Sequence, residues 1–211
     1  MRPITHLDHE WIERRARVSA LLHEQPIAST AMLAVFMAAL YRALPDALGH
    51  AQRVAGIACR IAEELGLSER EKADLERAAW LHDLGKFLSP EDDKDDPLDM
   101  STRRWARQVD IAVSVIEESA FLRPAAALVR ASRECMDGTG YPLGLRGGEI
   151  PLGARVLHVA DTYDALSSVC SSLGVTQEAV PAELVRNAGS RFDPAVVAAC
   201  LRTLEMPLEA A

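Results

Sequence analysis

The chain has 211 residues, which is enough for one domain with a full hydrophobic core. Hydrophobic residues make up 49% of the sequence and aromatic residues only 5%, a balance that favours helices packed through alanine, leucine and valine. The formal net charge of -8 argues against binding to a nucleic-acid duplex. The arginines are scattered along helical segments, so they do not form a separate basic patch. The four cysteines form no C-x-x-C pair, as is typical of a reducing compartment, so we expect a cytoplasmic protein.

Helical periodicity begins near the amino terminus. Residues 7–24 carry apolar side chains near one face, which predicts an amphipathic helix. The apolar run at 27–41 is shorter than the roughly 20 residues that a membrane-spanning helix needs, so it predicts a buried helix and no membrane span. Two further helices are predicted over 50–67 and 68–85, and the second opens with a capping-box pattern.

The second half continues the helical pattern after a charged loop. That loop, residues 89–101, holds five aspartates and is predicted to be solvated. Beyond it, helices are predicted over 102–119, 124–135, 152–172, 178–188 and 194–204. The interruption at 136–151 is rich in glycine, and no segment has the alternating period of a strand. The sequence therefore predicts an all-α fold.

Two histidines and two aspartates lie on three of the predicted helices. His50 opens one helix, and the adjacent His82 and Asp83 close the next. Asp161 lies in an apolar helix, where an unpaired carboxylate would be costly to bury. Imidazole nitrogens and carboxylate oxygens suit a divalent transition metal that activates water. Lys86, one turn past Asp83, would place a cation where a phosphate can lie.

The same four side chains also have plainer interpretations. A histidine beside an aspartate is common on protein surfaces at the end of a helix, where it binds nothing. A buried cluster of charged groups can also persist as a hydrogen-bond network without a metal ion.

Five stretches, in this order along the chain, resemble the pattern of HD-GYP domains, a group within the HD superfamily of metal-dependent phosphohydrolases. They are GHAQRVAGIACRIAEELGL, AAWLHDLGK, DGTGYPLGLRGGEIPLGAR, VADTYDAL and RFDPAVV. The resemblance covers residues 39–200 and implies an HD-domain helical bundle over 39–205 with an N-terminal helical extension over 1–38. We expect the extension to pack on the domain, where it also offers a surface for a homodimer.

By this resemblance, one set of metal ligands is complete and a second is missing. The complete set consists of His50, His82, Asp83 and Asp161. The family carries an adjacent histidine pair before its GYP loop, where this chain has Ser132 and Arg133, and a further histidine that is absent from 107–115. An arginine beside the site would repel a second cation. The resemblance therefore implies either one divalent transition metal, such as Fe, Mn, Zn or Ni, or none.

The phosphate-holding residues of the family are also reduced. Active members carry arginines after the DAL motif, and here that segment reads SSVCSSLG. In contrast, the GYP loop of this chain, residues 137–151, is well preserved. It contains Gly138, Gly140, Tyr141 and Arg146. The resemblance implies that this loop lies near the ligand and contacts GGDEF-type cyclases. The alternative is that its glycines and proline only shape a turn.

Two functions from different classes follow. The first is a binding or regulatory module of cyclic di-GMP signalling, with one retained metal position and little or no phosphodiesterase activity. The second is a single-metal HD-type phosphohydrolase acting on a nucleotide or another phosphoester. In that enzyme, Asp83 would hold the metal that activates water, and Lys86 would neutralise the phosphate.

Overall fold

The computed structural model describes residues 6–24, 30–40, 45–89, 102–173 and 179–205. The helices are α1 (His6–Glu24), α2 (Thr30–Leu40), α3 (Pro45–Glu64), α4 (Glu69–Leu81), α5 (Leu84–Leu88), α6 (Thr102–Ile116), α7 (Arg123–Ala131), α8 (Leu152–Leu173), α9 (Ala179–Arg186) and α10 (Pro194–Glu205). A short 3₁₀ turn, Gly147–Glu149, precedes α8. No strand occurs within these ranges, so the predicted all-α fold is confirmed. The charged loop lies outside the described residues from position 90 onward.

The centre of the fold is the packing of α3 against α4 and α8. The apolar side chains of each helix recur every three or four residues, so one face of each helix is buried. The fully buried members of this contact include Val54, Ala58, Ile61, Leu75, Ala78, Leu81, Val156, Val159 and Ala160. Burying one leucine, isoleucine or valine contributes roughly 1.5–3 kcal/mol, so this contact fixes the three helices firmly relative to one another.

The end of α4 differs from the sequence prediction. The helix begins as expected, because Ser68 and Glu71 form a reciprocal capping box. It ends at Leu81 and not at residue 85, so His82 and Asp83 form the turn before α5. The turn after α4 therefore brings the side chains of His82 and Asp83 close together. In an uninterrupted helix, two neighbouring side chains point in different directions. His50 is likewise in the second turn of α3 and not at its start.

Helices α1 and α2 pack on the same core as the rest of the chain. Val18 and Leu22 of α1, and Leu33 and Met37 of α2, are buried in the main hydrophobic cluster. The guanidinium of Arg14 donates to the carbonyl oxygen of Phe87 at 3.2 Å. Phe87 lies in α5, which follows the turn formed by His82 and Asp83. The division at residues 38 and 39 stays a prediction. None of the described helices is both long and apolar enough to cross a membrane.

Gly85 brings α5 unusually close to α6. A Cβ atom at this position would overlap the backbone carbonyl of Gln108 in α6, and backbone atoms cannot rotate away as a side chain does. The glycine of the HDLGK motif is therefore required by helix packing, directly beside the predicted metal ligands.

We expect Gly85→Ala to destabilise the protein by about 1–3 kcal/mol, because the added methyl group overpacks the contact between α5 and α6. Urea denaturation measures the change. Gly56→Ala is the matched control, since a Cβ at this position within α3 meets no atom within 4 Å. That substitution should leave stability unchanged or raise it by up to about 1 kcal/mol. Equal stability of the two variants would contradict the packing argument.

Candidate metal centre

The two histidines of the predicted site face each other through their Nε2 atoms, which lie 3.2 Å apart. His82 Nδ1 is 2.7 Å from the carbonyl oxygen of Ala79, and His50 Nδ1 is 2.7 Å from a carboxylate oxygen of Asp164. Both partners are acceptors, so each Nδ1 carries the proton and each Nε2 is left to bind a cation. Two facing lone pairs repel each other unless a proton or a metal ion lies between them.

The two aspartates complete the group. Asp161 Oδ1 lies 3.1 Å from His50 Nε2 and 3.5 Å from His82 Nε2. Asp83 approaches the same two nitrogens at 3.7 and 3.4 Å. Ligands bound at about 2.0–2.2 Å from one metal ion lie roughly 3.0–3.5 Å from each other in tetrahedral or octahedral geometry. His50, His82 and Asp83 form one group of converging ligand atoms, and Asp161 Oδ1 lies within 3.5 Å of both histidine nitrogens. These side chains would hold a single divalent ion.

The electrostatics of the group keep both carboxylates ionised. Burial opposes ionisation of Asp161, but Arg133 and the contacts with His50 and His82 hold its pKa well below the usual range. Burial likewise opposes ionisation of Asp83, and His82 and Lys86 lower its pKa. Without a metal, hydrogen bonds to Asp161 and Asp164 outweigh the effect of burial and raise the pKa of His50 to about 9. A proton on His50 Nε2 thus occupies the place that a metal ion would take.

Arg133 lies against the outer side of this group. Its Nη1 is 2.5 Å from Asp161 Oδ2, and its Nη2 is 4.0 Å from Asp83 Oδ1. Asp161 therefore divides its two oxygens between the histidines and the guanidinium. Ser132 turns away from the site and donates its hydroxyl hydrogen bond to the carbonyl oxygen of Val129. Ser132 and Arg133 stand where the resemblance implies a histidine pair. They thus contribute one fixed positive charge to the group, that of Arg133.

A pocket of about 620 Å³ opens beside the group. It is lined by His50, Asp83, Lys86, Trp105, Arg133, Cys135, Thr139, Gly140, Tyr141, His158, Asp161, Ala165 and Arg191. The predicted phosphate-binding residue Lys86 lies 2.7 Å from Asp83 Oδ2, with its ammonium group 5.3 Å from the centre of the Trp105 ring. Lys86 therefore stands at the boundary between the candidate metal centre and the open pocket.

The GYP loop folds back on the segment that follows α7. The buried carboxylate of Glu134 accepts hydrogen bonds from the backbone NH groups of Leu143 and Leu145 at 2.6 and 3.0 Å. A Cβ atom at Gly140 would overlap the backbone of Glu134 and Cys135, so this close approach requires glycine. The loop is thus held by a charged side chain that the sequence patterns did not single out.

The loop residues predicted to bind a ligand or partner divide into two groups. Gly140 and Tyr141 line the pocket. Arg146 is exposed, and its side chain packs over Gly138, whose φ of +80° requires glycine. Gly140 and Tyr141 therefore belong to the pocket wall, whereas Arg146 and Gly138 lie outside it.

Asp164 is a functional residue that the sequence reasoning missed. It lies one turn after Asp161 on α8, is almost completely buried, and accepts the hydrogen bond from His50 Nδ1. Arg53 binds the same carboxylate through Nε at 2.6 Å and Nη2 at 3.0 Å. The signal was present in the sequence as a second aspartate three residues after the first, within an apolar helix.

His158 and Arg191 also belong to the pocket wall. His158 is buried, and its Nδ1 donates to the carbonyl oxygen of Glu134 at 3.0 Å. Its Nε2 accepts a hydrogen bond from Arg191 Nε at 3.3 Å. Arg191 precedes α10 in the RFDPAVV stretch, and sequence reasoning gave it no role because it is distant from the other site residues along the chain.

Comparison with known proteins identifies related sequences. A family model described as HD domain matches residues 34–196. The cyclic di-GMP phosphodiesterase response regulator RpfG of Xanthomonas campestris is 36% identical over 157 residues, covering 72% of this chain and 42% of the relative. The 3'3'-cGAMP-specific phosphodiesterase 2 of Vibrio cholerae is 32% identical over 154 residues, covering 70% of this chain and 30% of the relative. These matches confirm the family resemblance inferred from the sequence.

Two solved structures share the fold. A Vibrio cholerae phosphodiesterase specific for cyclic GMP-AMP matches with a TM-score of 0.54 and 23% identity, over 75% of this chain and 44% of its own. A Bdellovibrio bacteriovorus HD-GYP-type protein matches with a TM-score of 0.62 and 16% identity, over 95% and 72% of the two chains. The chain spans less than half the length of the two curated relatives described above, so their activities are those of longer proteins.

We expect no more than one tightly bound transition metal ion per chain, because the described residues supply one group of converging ligands. His82→Ala should remove it. Elemental analysis of protein purified without chelators measures the content, and two ions per chain would contradict this expectation.

Asp164→Ala should weaken metal binding by about 10- to 100-fold, because it removes the acceptor that orients His50. Asp110→Ala is the control, since that exposed carboxylate on α6 pairs with Arg130. Equal losses in the two variants would mean that only overall charge, and not the orientation of His50, matters.

Proposed function

We propose that this chain, which belongs to the HD domain family and is related to the HD-GYP phosphodiesterases of cyclic dinucleotides, is a binding or regulatory module of cyclic di-GMP signalling. It keeps one metal position and has little or no cyclic di-GMP phosphodiesterase activity. The observation that carries this proposal is the position of Arg133, whose guanidinium lies against Asp161 and near Asp83.

The charge of Arg133 opposes a second metal ion at this position. Two-metal hydrolases hold their ions about 3.5–4 Å apart, usually with carboxylates shared between them. A guanidinium cannot lose its proton in a protein, so its charge is permanent. At an effective dielectric constant of 20, two unit charges 4 Å apart repel by about 4 kcal/mol, and a divalent ion roughly doubles that value. The replaced histidines also leave no nitrogen ligands to offset this repulsion.

The loss of one ion affects turnover more than binding. When bound, a single ion acts as a Lewis acid and lowers the pKa of a coordinated water molecule. A pair of ions stabilises both the attacking and the leaving oxygen of a phosphodiester, and one ion does not serve both. Lys86 and Arg133 still offer positive charge to a bound phosphate, so ligand binding remains favourable.

A single-metal phosphohydrolase acting on a nucleotide or another phosphoester is the second candidate. It is favoured by a specific observation, because Lys86, Arg133 and Arg191 all line the same pocket as the candidate metal ligands. The segment after the DAL motif lacks arginines, but other parts of the chain supply two. The pocket is therefore richer in phosphate-neutralising groups than the sequence suggested.

We expect cyclic di-GMP hydrolysis to be undetectable, or far below that of an intact HD-GYP domain assayed in parallel, even with added manganese or iron. Product chromatography and calorimetric binding should be measured on the same preparation. Binding without turnover supports the module. Robust conversion to a linear dinucleotide or GMP would contradict it, whereas hydrolysis of another phosphoester that is lost in His82→Ala would favour the second candidate.

The two groups of GYP-loop residues should separate two kinds of binding. We expect Tyr141→Ala to weaken cyclic di-GMP binding, because this side chain lines the pocket. Arg146→Ala should leave cyclic di-GMP binding unchanged and weaken binding to a GGDEF-type cyclase, because this side chain is exposed. Melting temperatures control for loop unfolding. Unchanged affinities for both ligands in both variants would remove the support for a recognition role of the loop.

A further inference from the structure

Two arginines reach the pocket from parts of the chain that are far apart in sequence. Arg133 follows α7, and Arg191 precedes α10. Both line the pocket, and both lie close enough to Tyr141 and His158 to influence the ionisation of these two groups. Neither residue belongs to the set of phosphate-binding residues that the family resemblance implied.

His158 fixes the orientation of Arg191. The histidine is 4% exposed, and its Nδ1 hydrogen is committed to the carbonyl oxygen of Glu134. Its Nε2 is therefore an acceptor, and it receives the hydrogen bond from Arg191 Nε. Burial, assisted by the nearby charges of Arg133 and Arg191, lowers the pKa of His158 to about 3, so the ring is neutral at physiological pH. The Arg191 guanidinium uses only its Nε in the hydrogen bond to His158. Its two terminal nitrogens, Nη1 and Nη2, do not take part in that bond.

The charges around the pocket are not balanced once a divalent ion is bound. Asp83 and Asp161 together offset the ion, whereas Asp164 is paired with Arg53. The partners of the Arg191 side chain in the described chain are His158, through a hydrogen bond, and the Phe192 ring, and neither carries a negative charge. With an ion bound, the three cations Lys86, Arg133 and Arg191 outweigh the carboxylates of the pocket lining. Such a pocket favours a phosphate, because the planar fork of arginine matches phosphate oxygens.

We propose that Arg191, positioned by His158, acts with Arg133 as a clamp for a phosphate group of a nucleotide bound in this pocket. This proposal rests on the proposed function only in that it places a nucleotide in the pocket. Tyr141 and Trp105 line the same space and offer ring surfaces for the nucleobase. Arg191 would contact the ligand directly, whereas His158 is a positioning residue.

Calorimetry on the metal-loaded full chain tests the clamp with four probes: inorganic phosphate, GMP, cyclic di-GMP and guanosine. Arg191→Ala should weaken binding of GMP and cyclic di-GMP by about 10- to 100-fold and leave guanosine within about twofold, because it removes charge-assisted hydrogen bonds to phosphate. Arg191→Lys should fall between the parent and Arg191→Ala, since it keeps the charge without the fork. Arg202→Ala is the control, because that arginine pairs with Glu64 outside the pocket.

The role of His158 is tested separately. His158→Leu should weaken binding of the phosphate-bearing probes and leave guanosine binding unchanged. His158→Gln should restore phosphate binding, because an amide can both donate to the carbonyl oxygen of Glu134 and accept from Arg191. If the leucine variant does not fold, the Arg191 series and the glutamine variant still decide the question.

The outcomes separate this proposal from the proposed function. If the parent binds cyclic di-GMP and Arg191→Ala binds it equally well, the clamp is wrong and the signalling module stands. If the parent binds GMP or inorganic phosphate in an Arg191-dependent manner but not cyclic di-GMP, the clamp stands and the signalling module is wrong. If the parent binds no phosphate-bearing probe, both are wrong.

Discussion

The buried carboxylate of Asp161 is the constraint on which the rest of the site depends. It lies in an apolar stretch of α8 at 6% exposure, where an uncompensated charge would cost several kcal/mol. Its two oxygens are served from opposite sides, Oδ1 by His50 and His82 and Oδ2 by Arg133. Three separate segments of the chain must therefore converge on one residue. The tight packing of α3, α4 and α8 makes this convergence possible.

The two oxygens of Asp161 are supported independently of each other. The guanidinium of Arg133 neutralises Asp161 without any ion, so this carboxylate is paired whether or not a metal ion is bound. Histidines His50 and His82 remain constrained, because they serve the other oxygen and are themselves fixed by Asp164 and the carbonyl of Ala79. The contacts of one oxygen therefore do not depend on those of the other.

The fold could be predicted from the sequence because apolar periodicity is a local pattern, whereas the ligand group was implied by the family resemblance and stays a prediction. Apolar periodicity placed the helices, and the family motifs placed His82 and Asp83. The end of α4 was misplaced, because His82 still has helical dihedral angles and the backbone departs from them only at Asp83, with φ -97° and ψ 4°. The role of Arg191 could not be predicted, since its contact with His158 joins residues 33 positions apart in a pattern that no periodicity encodes.

The proton acceptors near the candidate metal centre are already engaged by neighbouring groups. Asp83 is paired with Lys86, Asp161 with Arg133, and the Nε2 of His158 with Arg191. Burial raises the pKa of the Cys135 thiol, which therefore stays protonated and is a poor nucleophile. The two carboxylates and the histidine are thus already paired, and the Cys135 thiol is protonated. Proton transfer to or from a ligand by any of these groups would therefore require one of these contacts to break first.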